Sequence, residues 1–233
     1  MRTPFAILGL WFSMLSCQPT SPPNTPAPMP GNNLFSGLTN QEIGSFSWMN
    51  EPQVFSFENG SLSVVALKGT DFFNNPEDSS LTATAPYLYQ EVSGDFVATA
   101  LVSPGFASMW NAACLMVHMD EQHWIKFAFE KSDATGKSIV TVVTRGVSDD
   151  ANGVRLSKQD QVWLRLIRKG DVYSLLWSLD GQIYKMARLC AMPAFEKVKI
   201  GLEMQCPVGA PALHLVHFFG LEKKTVKDLR KGE

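Results

Sequence analysis

The sequence predicts an all-β sandwich, on three observations. Short runs that alternate apolar and polar residues, rich in Val, Phe, Trp and Thr, recur from residue 34 almost to the end of the chain. Gly, Asn, Asp and Pro interrupt them about every eight to twelve residues, a spacing typical of sandwiches and jelly rolls. No stretch has helical periodicity, apart from one turn predicted in the polar tail 223–233. We therefore predict one β-sandwich domain over residues 34–222, with no internal repeat and no second domain.

The turn signals separate the candidate strands. Asn59-Gly60 and Asp180-Gly181 predict two-residue hairpin turns, because both dipeptides tolerate positive φ. The candidate strands are 46–48, 54–57, 62–67, 81–92, 96–102, 107–118, 123–130, 138–145, 161–168, 172–179, 182–188, 197–206 and 212–221.

In the hairpin over residues 123–145, the register determines which side chains share a face. Setting Phe129 opposite Val140 keeps apolar side chains together, and it places Trp124 opposite Arg145. One face of this hairpin is then core. The other, which carries Trp124 among charged residues, is expected to face water.

A second surface follows from the short loops after residues 168 and 179. Their expected registers set Trp163 opposite Trp177, and Trp177 opposite Tyr184. Lys185 then falls on the core side, which indicates either that the register is different or that this strand is a sheet edge. One surface is therefore predicted to gather Trp163, Arg165, Trp177, Tyr184 and Arg188.

The N-terminal segment indicates export. Residues 1–17 hold one Arg and an apolar run over 5–15, which is too short to span a bilayer of ~30 Å and is typical of a signal peptide. Met14-Leu15-Ser16-Cys17 resembles the bacterial lipobox, which predicts lipidation of Cys17 and membrane attachment through that lipid alone. The alternative is a plain secretory signal cleaved nearby. Residues 18–33 are dominated by Pro and predict an extended tether.

Composition excludes several classes of function. The 20 basic and 22 acidic residues give a net charge of −2, so no basic field attracts nucleic acid. After Cys17, the three remaining cysteines are an odd number, so at least one is unpaired; Cys114 and Cys206 are expected to be buried as small apolar residues. No metal-ligand spacing and no nucleotide or cofactor motif is present, so no metal and no cofactor is predicted.

Nine motifs follow in the order of a known family. They are Phe46-Ser47-Trp48-Met49-Asn50-Glu51-Pro52, Thr70-Asp71-Phe72-Phe73, Leu115-Met116-Val117, Trp124-Ile125-Lys126 with Glu130, Val142-Val143-Thr144-Arg145, Ser148-Asp149, Trp163-Leu164-Arg165, Ser178-Leu179-Asp180-Gly181, and Arg188. Over residues 34–221 the chain resembles the domain-of-unknown-function family typified by the regulation-of-enolase protein. The resemblance implies a concanavalin A-like lectin/glucanase fold, a jelly roll of two antiparallel sheets with a concave face. It implies no particular reaction.

The chain departs from this family at two motifs that could touch a ligand. Where family members tend to have Tyr-Asp-Gln-Ala-Gly, this chain has Trp110-Asn111-Ala112-Ala113-Cys114. Where they tend to follow Ser-Asp with Trp, it has Asp150. A ligand preference of relatives therefore does not carry over.

The prediction is a carbohydrate-binding groove on the concave face, in which aromatic rings stack on sugar rings and charged groups bind hydroxyls. The Arg and Lys residues would suit acidic sugars. The alternative is that these side chains cover the sheet by cross-strand packing. The loop 148–153 could cover the groove. The predicted ligand-binding residues are Trp124, Lys126, Glu130, Arg145, Trp163, Arg165, Trp177 and Arg188, with loop contributions from Asn50, Glu51, Asp71 and Asp149.

Two other functions stay open. A glycoside hydrolase would need two paired carboxylates, and the strand motif that usually supplies them is absent: Glu130 has no carboxylate two residues away, and Lys126 lies ~13 Å along the strand. A polysaccharide lyase would need a base and a charge neutraliser from the same groove. The third reading is a lipoprotein that binds a protein partner without binding sugar. The sequence gives no strong grounds for catalysis.

Overall fold

The computed structural model describes residues 31–233, and these form a sandwich of two seven-stranded antiparallel sheets. The described strands are β1 (Ser47–Met49), β2 (Phe55–Glu58), β3 (Ser61–Ala66), β4 (Phe72–Asn74), β5 (Leu81–Ala83), β6 (Tyr87–Ser93), β7 (Phe96–Ser103), β8 (Ala112–Asp120), β9 (His123–Ser132), β10 (Gly136–Arg145), β11 (Val147–Arg155), β12 (Val162–Lys169), β13 (Val172–Ser178), β14 (Lys185–Ala191), β15 (Lys197–Gln205) and β16 (Ala212–Glu222). Sheet A has the order β1-β6-β15-β8-β9-β10-β11, and sheet B has the order β14-β13-β12-β7-β16-β3-β2. Strands β4 and β5 form a separate two-stranded sheet. The predicted all-β sandwich of antiparallel sheets is confirmed.

The main core lies between the two sheets, where alternate residues of each strand point inward. Ile125, Phe127 and Phe129 of β9 belong to it, as the alternation predicted. Leu164 and Leu166 of β12 face them from sheet B.

All three predicted strand registers are wrong by one residue. Trp177 pairs with Lys185 rather than Tyr184, because Asp180-Gly181 lies within a longer connection between β13 and β14 and does not close a two-residue turn. Phe129 pairs with Ile139 rather than Val140, because Gly136 at φ 72° closes a loop one residue shorter than expected. Leu164, not Trp163, pairs with Trp177, because Gly170 at φ 58° allows a two-residue turn. Since side chains alternate, each slip changes which residues share a face.

Several strand bounds also differ from the prediction. Residues 148–153, expected to be a loop, belong to β11 at the edge of sheet A. The predicted strand 81–92 is two strands, β5 and β6, and β4 was not predicted. Strand β14 is an edge strand and its register also differs from the prediction, so both explanations for the position of Lys185 apply.

The outer faces of both sheets are partly covered. Over sheet A lies the β4–β5 hairpin, whose Phe72 packs among side chains of β6, β8, β9 and β10. Against sheet B lies the tail 223–233: Val226 is buried beside Ile167, and Ser174 donates a hydrogen bond to the Leu229 carbonyl at 2.6 Å. The tail thus shields apolar side chains that would otherwise face water.

Some predictions fall outside the described residues. These are the signal peptide 1–17, the lipidation of Cys17, and residues 18–30 of the tether. Within residues 31–233 no helix is long and apolar enough to cross a membrane.

Candidate functional site

The outer face of sheet A brings together ionisable side chains from separate strands. Lys126 and Glu130 lie on β9, two positions either side of Ala128. Cys114 of β8 pairs with Ala128 on one side and with Glu203 of β15 on the other. Side chains in paired positions share a face, so Lys126, Glu130 and Glu203 all lie on this outer face. We call Asp71, Lys126, Glu130, Glu203 and Gln205 the Lys126 cluster.

Lys126 is the centre of the cluster and is almost fully buried, at 2% exposure. Its Nζ donates to Asp71 Oδ1 at 2.9 Å, to the Phe72 carbonyl at 2.9 Å and to Gln205 Oε1 at 2.6 Å. Burial alone would lower the pKa of Lys126, but the surrounding carboxylates outweigh it and the pKa is raised, so the ammonium stays charged.

Glu203 is fully buried, and neither of its carboxyl oxygens has a hydrogen-bond partner among the described residues. Burial raises its pKa to about 7, and the nearby Lys126 charge opposes only part of that rise. A buried carboxyl without hydrogen bonds is costly, and such groups are more common at functional sites than in ordinary sheets.

Glu130 is nearly buried, with 6% of its surface exposed, and we call its end of the cluster the mouth. Burial raises its pKa to about 8, so its carboxyl is mainly protonated at pH 7. Burial and nearby charges account for this shift, with no hydrogen bond from the described residues contributing. The edge strand β11 borders this side of the face and leaves Asp150 and Asn152 exposed. Glu130 is therefore the buried acid closest to this open border.

The β4–β5 hairpin explains why Trp124 stands among charged residues. The Phe72 ring packs edge-on against Trp124, with centroids 6.2 Å apart, and Trp124 is only 1% exposed. Asn74 fastens the hairpin by donating from Nδ2 to the Gly146 carbonyl at 3.0 Å. The expectation that Trp124 and Lys126 face water is wrong, because a segment distant in sequence covers them.

The predicted surface around Trp163 and Trp177 is divided. Trp163 lies on the outer face of sheet B beside Phe218, and Arg165 stacks on Tyr184 at 3.6 Å on that same face. Trp177 packs in the core between the sheets. Trp163, Arg165 and Tyr184 therefore share one surface. The inclusion of Trp177 in it is wrong, because the register differs by one residue.

Arg145 and Arg188 link the open edges of the two sheets. Arg188 of β14 donates to Asp149 Oδ2 of β11 at 2.6 Å and to the Thr141 hydroxyl at 3.4 Å. Arg145 donates to the Ala191 carbonyl at 3.0 Å. These contacts give both arginines a packing role at the edge of the sandwich, away from the Lys126 cluster.

We expect Arg188→Ala to lower the free energy of unfolding by about 0.5–1 kcal/mol, since its ion pair with Asp149 is partly exposed. Urea unfolding measures this, and Arg188→Lys, which keeps the charge, should lose less. Loss of ligand binding by Arg188→Ala at unchanged stability would contradict the packing role and favour the predicted ligand contact.

The predicted loop contributors have different surroundings. Asp71 joins the Lys126 cluster, and Asp149 pairs with Arg188. Asn50, at φ 56°, donates from Nδ2 to the carbonyls of Ala83 and Ala85 at 2.9 and 3.0 Å, which supports the β4–β5 segment. Glu51 is exposed.

Sequence reasoning missed Glu203 and Gln205. The sequence did carry a signal for them: they alternate with Leu202 and Met204 on a predicted strand, where charged and amide groups are seldom buried without a purpose.

The three described cysteines are free thiols, and the predicted burial of Cys114 and Cys206 is confirmed. Residues 31–233 hold no group of three or more His, Cys, Asp or Glu arranged to bind a metal ion.

The two antiparallel sheets define a concanavalin A-like jelly-roll sandwich. Residues 48–223 match the family described as "Protein of unknown function (DUF1349)", and the chain belongs to that family. The resemblance found in the sequence is confirmed.

A curated relative is Regulation of enolase protein 1 of Saccharomyces cerevisiae, which is 26% identical over 162 residues, covering 70% of this chain and 81% of the yeast protein. The structure of a functionally unknown protein from Saccharomyces cerevisiae superposes with a TM-score of 0.74 at 23% identity, covering 78% of this chain and 98% of that one.

Lectin-like and glycosidase-like structures share the fold. The GH43 protein BlXynB (mutant K247S) from Bacillus licheniformis has a TM-score of 0.65 at 12% identity; the match covers 85% of this chain and 41% of that enzyme. The seed lectin of Lotus tetragonolobus has a TM-score of 0.52 at 10% identity, covering 77% of this chain and 93% of the lectin. At these identities the likeness shows the fold alone.

Proposed function

We propose that this chain is an exported, lipid-anchored β-sandwich that binds a carbohydrate on the outer face of sheet A, at the mouth formed by Glu130. The observation that carries the proposal is the Lys126 cluster. A sheet face that served packing alone would gain stability from apolar side chains, whereas this one buries two carboxyl groups with raised pKa values. The neighbouring lectin-like and glycosidase-like folds agree with a sugar ligand, by analogy of fold.

The charges of the cluster favour a neutral sugar. It holds three carboxyl groups, those of Asp71, Glu130 and Glu203, against the single ammonium of Lys126, which is already bonded to three oxygens. A ligand carboxylate would find no unpaired cation there, because the ammonium is already bonded to Asp71, Gln205 and the Phe72 carbonyl. The arginines that suggested acidic sugars lie elsewhere, at the sandwich edge and on sheet B. Sugar hydroxyls can both donate to and accept from the Glu130 carboxyl.

Export and anchoring rest on the N-terminal sequence. The apolar run 5–15 and the lipobox-like Met14-Leu15-Ser16-Cys17 support cleavage before Cys17 and its lipidation. The proline-rich residues 18–33 would then hold the sandwich away from the membrane. Metabolic labelling with a fatty acid, compared between the parent and Cys17→Ser, tests the lipid; equal labelling of both would contradict it.

Binding is tested on an array of neutral and acidic oligosaccharides, with the chain produced from residue 18 onward. We expect Glu130→Met to weaken binding at least tenfold, since sugar hydroxyls would lose a buried partner. Glu130→Gln should bind within about threefold of the parent, because an amide replaces a protonated carboxyl of the same shape. Glu91→Gln, an exposed change, is the control.

Three outcomes count against parts of this proposal. A folded parent that binds no glycan contradicts sugar binding and favours the protein-partner alternative. Equal binding by the parent and Glu130→Met would locate the site elsewhere. A preference for acidic over neutral oligosaccharides would contradict the conclusion that the charges of the Lys126 cluster favour a neutral sugar.

Glycoside hydrolysis is a second candidate, and one observation favours it: Glu130, whose carboxyl is protonated at neutral pH, shares its face with a second carboxyl, Glu203. By strand geometry their Cα atoms are about 12 Å apart, two strands across and two residues along. Carboxyl groups about 6.5–9.5 Å apart serve inverting glycosidases. If the parent cleaves the sugar it binds, Glu130→Gln should bind but not cleave; cleavage at the parental rate would contradict an acid role for Glu130.

A further inference from the structure

Trp110 differs from the other described tryptophans in its exposure and in lacking an aromatic or cationic neighbour for its ring within residues 31–233. It is 39% exposed, the largest exposure among them. No aromatic or cation–π contact within residues 31–233 involves its ring. The other four each have one: Trp48 with Phe55, Trp124 with Phe72, Trp163 with Phe218, and Trp177 with Lys185.

The backbone of Trp110 is held in a conformation that a bulky residue rarely adopts. Its φ is 60°, in the left-handed region that favours glycine. Its amide donates to the Lys131 carbonyl at 2.7 Å, and its carbonyl accepts from Gln205 Nε2 at 2.8 Å. The surrounding structure therefore fixes a strained residue in place, and such strain is concentrated at functional sites.

Trp110 also lies beside the mouth of the Lys126 cluster. It precedes Ala112 by two residues, and Ala112 pairs with Glu130 on one side and with Gln205 on the other. Two residues span at most about 7 Å of chain, roughly the width of a sugar ring. The backbone of Trp110 thus lies close to the strand position that pairs with Glu130, whose carboxyl has no hydrogen-bond partner among the described residues.

We propose that Trp110 is the stacking residue of the carbohydrate site: its indole packs against the apolar face of a neutral pyranose while Glu130 hydrogen-bonds a hydroxyl of the same ring. This inference rests on the proposed sugar-binding function and adds the residue that selects a ring-shaped, uncharged ligand. Stacking on an exposed aromatic ring gains apolar burial without further ordering of the protein, because the strained backbone is already fixed.

Titration with cellohexaose, xylohexaose and mannohexaose, the probes for this site, tests the proposal. For the probe that binds the parent most tightly, Trp110→Leu should bind at least tenfold more weakly, and Trp110→Tyr should bind within about fivefold of the parent. The side-chain indole NH signal of Trp110, assigned by its loss in Trp110→Tyr, should shift on addition of the probe. Trigalacturonate should cause no such shift.

The outcomes separate the two proposals. If the folded parent binds none of the neutral probes, the sugar-binding function itself is contradicted. If the parent binds and Trp110→Leu binds equally well with an unmoved indole signal, sugar binding stands and the role of Trp110 is wrong.

A comparison that does not depend on a ligand tests the backbone constraint. Both Trp110→Gly and Trp110→Ala remove the ring, but only glycine adopts φ 60° without strain. Trp110→Gly should therefore melt at a higher temperature than Trp110→Ala, the reverse of the order usual within strands. A lower melting temperature for the glycine variant would contradict the strained placement on which the inference depends.

Discussion

Replacing Lys126 by methionine is expected to lower the free energy of unfolding by about 3–5 kcal/mol, the largest loss we expect from any single change in the cluster. Methionine preserves most of the apolar stem and removes the ammonium. The Phe72 carbonyl and Gln205 Oε1 then lose their donor, and Asp71 loses its counter-ion at 2.9 Å. Urea unfolding monitored by tryptophan fluorescence gives the difference.

The matched control is Lys199→Met on the same outer face. Lys199 is half-buried and lies over the Tyr89 ring at 5.0 Å, without a salt bridge among the described residues. Its replacement should change the free energy of unfolding by less than about 1 kcal/mol. A Lys126→Met variant within 1 kcal/mol of the parent would show that the cluster does not fasten the β4–β5 hairpin to sheet A.

The connection between Lys126 and the hairpin can be tested separately with Asp71→Asn. In the parent, this change removes the counter-ion of a buried ammonium and should be destabilising. In the Lys126→Met background it should cost much less, because no ammonium remains to be paired. Equal losses in both backgrounds would contradict coupling between the two residues.

The sequence predicted what depends on neighbours along the chain. Ile125, Phe127 and Phe129 were assigned to the core because alternation fixes the face of each residue relative to the next. The register between strands differs by one residue at all three predicted pairings, in two of them because a loop is shorter than expected. It depends on loop length, and a single glycine at positive φ, Gly136 or Gly170, shortens a loop by one residue.

The candidate site was predicted less completely, because it is assembled across the sheet. Glu203 reaches Glu130 and Lys126 only through the order β15-β8-β9, in which Glu203 pairs with Cys114, 89 residues earlier in the sequence. The burial of Trp124 depends on Phe72 of the β4–β5 hairpin, whose docking has no periodic signal. Alternation along β9 was enough to predict that Lys126 and Glu130 share a face, whereas Asp71 was expected only as a loop contributor.

The pH dependence of stability is the second large effect. The folded-state pKa values of Glu130 and Glu203 are raised to about 8 and about 7, from 4.5. The folded protein therefore keeps protons that the unfolded chain has already released, and the free energy of unfolding must fall as pH rises through these values. Between pH 6.5 and 8.5 we expect a loss of about 2–3 kcal/mol, at about 1.4 kcal/mol per unit for a fully titrating group.

The buried histidines oppose only part of this effect. His118 and His214 have pKa values lowered by burial to about 4, and burial also lowers the pKa of His217, so the unfolded chain binds their protons first and stability rises with pH. At pH 6.5 these imidazoles are about half protonated in the unfolded chain, so each offsets no more than about 0.4 kcal/mol of the loss. The raised pKa of Lys126 contributes stability that is lost only above pH 10.5.

Substitution by glutamine separates the two carboxyl groups. Because Glu130 titrates mostly within the chosen range, Glu130→Gln should reduce the loss between pH 6.5 and 8.5 to about 1 kcal/mol, while Glu203→Gln should remove a smaller share. Glu91→Gln, exposed on the same sheet, should follow the parent. If the parent were equally stable at pH 6.5 and 8.5, both carboxyl groups would have to be ionised in the folded state throughout. Glu130 would then be ionised when it binds a sugar. In that case Glu130→Gln would no longer be expected to bind as tightly as the parent.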